Sequence, residues 1–225
     1  MPRPLGVRDE PRFKLIDVDE FGVTLEKCNR TGGWALKVFR VQTGGHYHHG
    51  DKLTVLFAIE PGDPRVPAGN RGSVENPRRW IRIVRAKGTT INVFADFCDY
   101  ICRDIESAPI PVTDDDRILL WDNLISHHSH YVHQVVTGRP GPPRFSIVAR
   151  PQYHPKIAPI EYKICTLLGK VRWEKEEDWD MARLEQELRY QAEHIGKNNN
   201  DFDATFYQCG YRWVLDANGN VVYQN

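Results

Sequence analysis

The chain has 225 residues, 40% hydrophobic and 11% aromatic, enough to bury a substantial core as one domain or one domain with an extension. Thirty Lys and Arg balance thirty Asp and Glu, so total charge neither supports nor excludes a polyanionic partner, and only local patches can speak. No run approaches the eighteen or so apolar residues of a membrane helix, and MPRPLGVRDEPRF lacks the apolar core of a signal peptide, so a soluble, membrane-free protein is expected.

FKLIDVDEFGVTL (Phe13 to Leu25) alternates apolar and polar residues as a strand does, with Asp19 expected at its end. WALKVFRV (Trp34 to Val41) and KLTVLFAIE (Lys52 to Glu60) follow as strands of a meander. The segment from Pro61 to Pro77 holds four prolines and three glycines and reads as a loop, after which RRWIRIVRAKG is basic and strand-like. Ile91, Phe94, Ala95, Cys98, Ile101, Cys102 and Ile105 fall on one helical face. RILLWDN (Arg117 to Asn123) is a short apolar run of the kind a buried parallel strand uses, and it ends in an acid. A short helix around Ser129 to Val136 and a strand FSIVA (Phe145 to Ala149) come next. Pro159 then suits the first position of a helix whose stripe is Ile160, Ile164, Leu167, Leu168 and Val171, which puts Glu161 in its first turn. A charged helix, Met181 to Ile195, reads as a solvated amphipathic surface helix, with dimer contact as its alternative use. Strands first, then alternating helices and strands, predict an α/β layer fold with a mixed sheet. Cys28, Cys98, Cys102, Cys165 and Cys209 are odd in number and form no CxxC pair, which reads as reduced thiols of an intracellular protein.

Asp19 and Asp122 end apolar strands and Glu161 opens a helix, with 102 residues between the first two and 38 between the last two. Carboxyl ends of strands are where ligands gather in α/β sheets, so the three acids can meet in one site. Clustered carboxylates repel one another unless a hard divalent cation neutralises them, and oxygen donors of this kind suit magnesium or manganese. Phosphoryl chemistry, with two metals clamping the attacking and leaving oxygens, is the use such a site points to.

LIDVDEFG, LLWDNLISHH and RPQYHPKIAPIEY together resemble the three catalytic motifs of the mariner-like transposases and their bacterial insertion-sequence relatives. The likeness rests on Asp19-Glu20, on Asp122-Asn123 with His127, and on Pro151, Tyr153, Pro155, Pro159, Ile160 and Glu161. It covers roughly Phe13 to Val171, together with the FYQCGY tail. His154 to Pro159 departs from the family's usual S-P-D-L-N-P. The resemblance implies a ribonuclease H-like fold of the retroviral integrase superfamily, a mixed five-stranded sheet flanked by helices. It implies a DDE-type endonuclease and strand transferase acting on DNA at transposon ends and targets. Catalytic and metal-binding roles fall to Asp19, Asp122 and Glu161, with two Mg2+ ions or Mn2+ in their place, and supporting roles to Asn123, His127 and Tyr153. A homodimer is implied for the active complex. Family members read their ends with amino-terminal helix-turn-helix modules; eighteen residues precede Asp19 here, so a lost upstream segment or another chain would supply recognition. Location would be nuclear in a eukaryote and the cytoplasmic nucleoid in a bacterium. Expected boundaries are 1–12 for an extension, 13–175 for the catalytic core and 176–225 for a helical extension and tail.

Each residue also has a plainer role: Asp19 and Asp122 as solvated strand-end acids, Glu161 as a first-turn acid favoured by the helix dipole. Arg71, Arg78, Arg79, Arg82, Arg85 and Lys87, with Trp80 among them, form either a DNA-backbone patch or a strand edge kept soluble by charge. A domesticated, non-catalytic core that binds DNA or protein is the alternative to the enzyme. His46, His48 and His49 raise a third, a histidine-metal oxygenase of cupin type.

Overall fold

The structure, a computed structural model, describes residues 10–25, 51–85, 88–108, 116–122, 124–151, 155–176, 178–197 and 201–224. The predicted strand Trp34 to Val41 lies outside them, as do Cys28, His46, His48 and His49. Five strands, β1 (Leu15–Val23), β2 (Leu53–Ile59), β3 (Arg79–Val84), β4 (Arg117–Trp121) and β5 (Phe145–Ala149), form one sheet in the order β3-β2-β1-β4-β5. The first three form an antiparallel meander, and β4 and β5 join it in parallel, giving the mixed sheet expected.

Both faces are covered, which is why LTVLFAI in β2 and RILLW in β4 read as continuous apolar runs and are buried throughout. On one face, α1 (Ile91–Glu106) and α2 (His130–Thr137) bury Phe94, Phe97, Cys98, Ile101 and Val132 against Val18, Leu56, Trp80 and Trp121. α1 begins at Thr90, whose hydroxyl accepts from the Val93 amide. Ile91, predicted inside, is exposed in that first turn, and Phe97 takes an inner position.

The other face packs against α3 (Pro159–Glu174), α4 (Met181–His194) and α5 (Asp201–Gln208). α4 is more than a solvated surface helix: Leu184, Leu188 and Ala192 are buried in the same apolar cluster as Val55, Phe57, Leu167 and Val171. Burying each leucine is worth roughly 1.5–3 kcal/mol, so its interior face outweighs its charged exterior. The cluster runs on through Phe202, Phe206 and Tyr211, and a hairpin of β6 (Trp213–Leu215) and β7 (Val221–Tyr223) follows. The Arg12 guanidinium holds the Asp203 carboxylate and donates to the Gln224 side chain, so the first described turn and the last strand are fastened together. The described cysteines, Cys98, Cys102, Cys165 and Cys209, form no disulfide. Among the described residues, no helix is long and apolar enough to cross a membrane.

Candidate active site

β1 is the middle strand, and its two-residue alternation sends side chains to both layers. Asp17 and Asp19 share the α3 face; Glu20 turns to the α1 face. The strand runs past Asp19 to Val23 because β2 keeps pairing with it, so Asp19 sits within β1 and not at its end. Asp17 is fully buried, and its Oδ2 accepts the Ile160 amide at 2.9 Å. α3 has no side-chain cap of its own at Ala158, so this remote carboxylate satisfies one of its orphan amides. Burial pushes the Asp17 carboxyl up to about 7, while Arg150 and the Ile160 amide pull it down and Asp19 and Glu161 add repulsion.

Asp19 Oδ1 accepts the Glu20 amide at 2.7 Å, and Oδ2 accepts from Arg150 Nη2 at 3.3 Å. Burial raises its pKa against the pull of Arg150, with Asp122 adding repulsion. The parallel register pairs Asp17 with Leu120, and two residues further it brings Asp19 beside Asp122 just past the end of β4.

Asp122 accepts the Leu124 amide at 3.2 Å and lies 2.7 Å from His127 Nδ1. The approach to His127 is close, though off the ideal hydrogen-bond line, and favours the ionised carboxylate. Burial alone would raise the Asp122 pKa; His127 and the Leu124 amide outweigh it and hold the carboxyl below its ordinary value. His127 is itself buried, stacked on Phe94 at 3.8 Å between ring centroids, with Nε2 4.0 Å from Glu20 Oε2.

Glu161 stands exposed in the first turn of α3. Pro159 at the helix start has its φ fixed by its ring, and Tyr211 Oη donates to the Ile157 carbonyl at 2.9 Å, so the lead-in is held from both sides of the junction. Burial raises the Glu161 pKa, Asp19 and Asp122 raise it further, and Arg150 opposes them. Acids from β1, the end of β4 and the start of α3 therefore share one electrostatic field. Among the described residues, no three His, Cys, Asp or Glu side chains are already gathered closely enough to hold a metal ion.

The predicted basic patch is laced to acids. Arg71 pairs with Asp104 at 2.8 Å, Arg82 with Asp96 at 3.5 Å and Arg85 with Glu185 at 3.1 Å. Arg79 donates to the Ile195 carbonyl at 3.0 Å. Arg78 is buried against Glu60 at 3.0 Å, out of reach of a phosphate. Asn123, Tyr153 and Lys87 lie outside the described residues. Sequence reasoning passed over Asp17 and Arg150. Both carried a signal: an acid two residues before Asp19 on the same strand face, and a cation directly after the strand FSIVA.

No protein-family model matches the chain, and no curated protein matches it by sequence. Solved structures do match. A pre-cleavage Mos1 transpososome aligns with a TM-score of 0.65 at 11% identity, over 88% of this chain and 54% of that one. The Mos1 mariner paired-end complex with Mn gives 0.64 at 11% identity, over 88% and 53%. The fold is that of a mariner transposase catalytic domain. The catalytic domain of Mos1 mariner transposase alone gives 0.55 at 11% identity, over 88% and 76%. The ribonuclease H-like sheet expected from the motifs is thus the sheet observed, and the chain spans about half the length of the Mos1 chains in the complexes.

Proposed function

We propose that the chain is a DDE-type catalytic core for metal-dependent cleavage of DNA phosphodiesters and strand transfer at transposon ends. The observation that carries this is that Asp19 within β1, Asp122 just past β4 and Glu161 in the first turn of α3, from three separate elements, share one electrostatic field. An all-oxygen donor set whose members Asp19 and Glu161 are pushed up by burial, with the charge of Asp122 adding to both, suits a hard divalent cation. Asp19, Asp122 and Glu161 would hold Mg2+, or Mn2+ in its place; such ions, when bound, lower the pKa of a water or 3′-hydroxyl and neutralise charge on the phosphate. Mos1 complexes with Mn and with Mg support that choice of ion.

The chain's own residues do the positioning. His127 holds Asp122 in its ionised form, the Glu20 amide fixes one oxygen of Asp19, and the proline-bearing lead-in sets where α3 begins and hence where Glu161 stands. Arg85 is exposed and Arg82 half-buried, and each is held by a single solvent-reached ion pair, so they can exchange acids for DNA phosphates at little cost. In this reading two copies act together, and a helix-turn-helix module in another segment or chain reads the ends.

A second reading, a domesticated core that binds DNA or protein without cleaving, is favoured by the Arg150 contact to Asp19. Nicking of supercoiled plasmid in Mg2+ or Mn2+ separates the two. Asp122→Asn and Glu161→Gln are expected to abolish nicking while leaving circular dichroism unchanged. Nicking that survives in either variant removes the carboxylate mechanism, and a folded parent chain that never nicks favours the second reading.

A further inference from the structure

Arg150 comes from the residue after β5, and its backbone is fixed: its amide donates to the Trp121 carbonyl at 2.7 Å, extending the β4–β5 ladder to the side of Asp122. The side chain is buried and reaches back to β1. Nη1 lies 3.4 Å from Asp17 Oδ1, and Nη2 donates to the Val18 carbonyl at 3.2 Å and to Asp19 Oδ2 at 3.3 Å. One planar guanidinium thus spans two acids on the same strand face, a reach that suits its rigid fork and that a lysine ammonium cannot reproduce.

The geometry points to Arg150 as a resident cation of the carboxylate site, whose guanidinium a divalent ion must displace from Asp19 in order to bind. This rests on the metal-dependent reading above. Each oxygen of Asp19 accepts one hydrogen bond, but the Glu20 amide on Oδ1 is fixed backbone whereas the guanidinium on Oδ2 is a side chain that can move, so Oδ2 is where ion and guanidinium compete. Asp17 makes the exchange feasible. It lies deeper and keeps its ion pair with Nη1, so release from Asp19 is a short swing and does not leave a buried charge without a counter-ion. Asp17 and Arg150 then have a role that Asp19, Asp122 and Glu161 do not share: they hold the site together before metal arrives and set how tightly it takes metal.

Calorimetric titration with Mn2+ tests this. Arg150→Gln removes a positive charge beside the ion, and is expected to bind Mn2+ at least about tenfold more tightly than the parent. Its metal-free form should melt at a lower temperature and gain more from Mn2+. Arg150→Lys keeps a charge for Asp17 but loses the fork, and should fall between the two. Equal or weaker Mn2+ affinity in both variants overturns the proposal. If Arg150→Gln does not fold, the parent still decides: the Arg150 side-chain NMR resonance, assigned as the one missing in Arg150→Lys, should move on Mg2+ titration, and an unmoved resonance overturns the proposal. Asp122→Asn is the control that keeps the two readings apart. If it binds Mn2+ as the parent does, the metal is not at this site and the catalytic reading fails with the Arg150 proposal. If it loses Mn2+ while both Arg150 variants bind as the parent does, the role of Arg150 fails alone.

Discussion

At the residue scale, the sharpest conflict is at Asp17, a carboxyl buried completely between a helix start and a guanidinium. Burial raises its pKa to about 7 from the ordinary 3.8, so between those values the folded chain binds more protons at this position than the unfolded chain does. Stability contributed here is therefore greatest at low pH and is lost as pH rises from about 4 through about 7, by no more than about 1.4 kcal/mol per pH unit for one proton. Asp17→Asn keeps an oxygen to accept the Ile160 amide and removes the titration. Denaturant unfolding of metal-free protein at four pH values across this window should show the parent losing stability relative to the variant as pH rises, and parallel curves would refute the assignment. Asp122 and Glu161 were legible because one follows the end of a strand and the other opens a helix, and Asp19 because it keeps its motif neighbours although it lies within β1. Asp17 and Arg150 carried only weak signals, because their roles depend on a contact between β1 and the end of β5 that no local pattern encodes.

At the element scale, α3 owes its starting point to three unrelated pieces of chain: Pro159, the Asp17 carboxylate and the Tyr211 hydroxyl. Tyr211→Phe leaves the Ile157 carbonyl buried without its donor, at a cost of about 1–3 kcal/mol in unfolding free energy. Under the proposed mechanism it should also slow nicking, since Glu161 follows within the same turn; unchanged stability would show that the bond carries no weight. Leu188→Ala on α4 should cost about 2–5 kcal/mol, as expected of a core leucine and not of a surface one. Strands β1 to β5 and helices α1, α2 and α3 were readable from periodicity and end signals, whereas β6 and β7 were not. The interior face of α4 was masked by its charge, since Arg and Glu dominate MARLEQELRYQAEH while only Leu184, Leu188 and Ala192 supply the buried apolar stripe. Strand β1 reads short because the Asp19-Glu20 pair interrupts the apolar alternation, whereas its ladder with β2 does not stop there.

At the scale of the whole molecule, one apolar cluster joins the sheet to α3, α4, α5 and Tyr211, so the segment after residue 175 completes the core. A chain cut after Lys175 would expose the inner faces of β2 and α3. It is expected to be insoluble or to lack near-ultraviolet dichroism, and a soluble, cooperatively unfolding fragment would contradict that. The fastening of Arg12 to Asp203 and Gln224 has a mechanical consequence. Arg12 lies just before the start of β1, whereas the acids lie further along that strand and beyond the end of the parallel strand β4. Residues near both ends of the described chain are clasped together, so a pull on either end would load this clasp before it strained the strands that carry the acids.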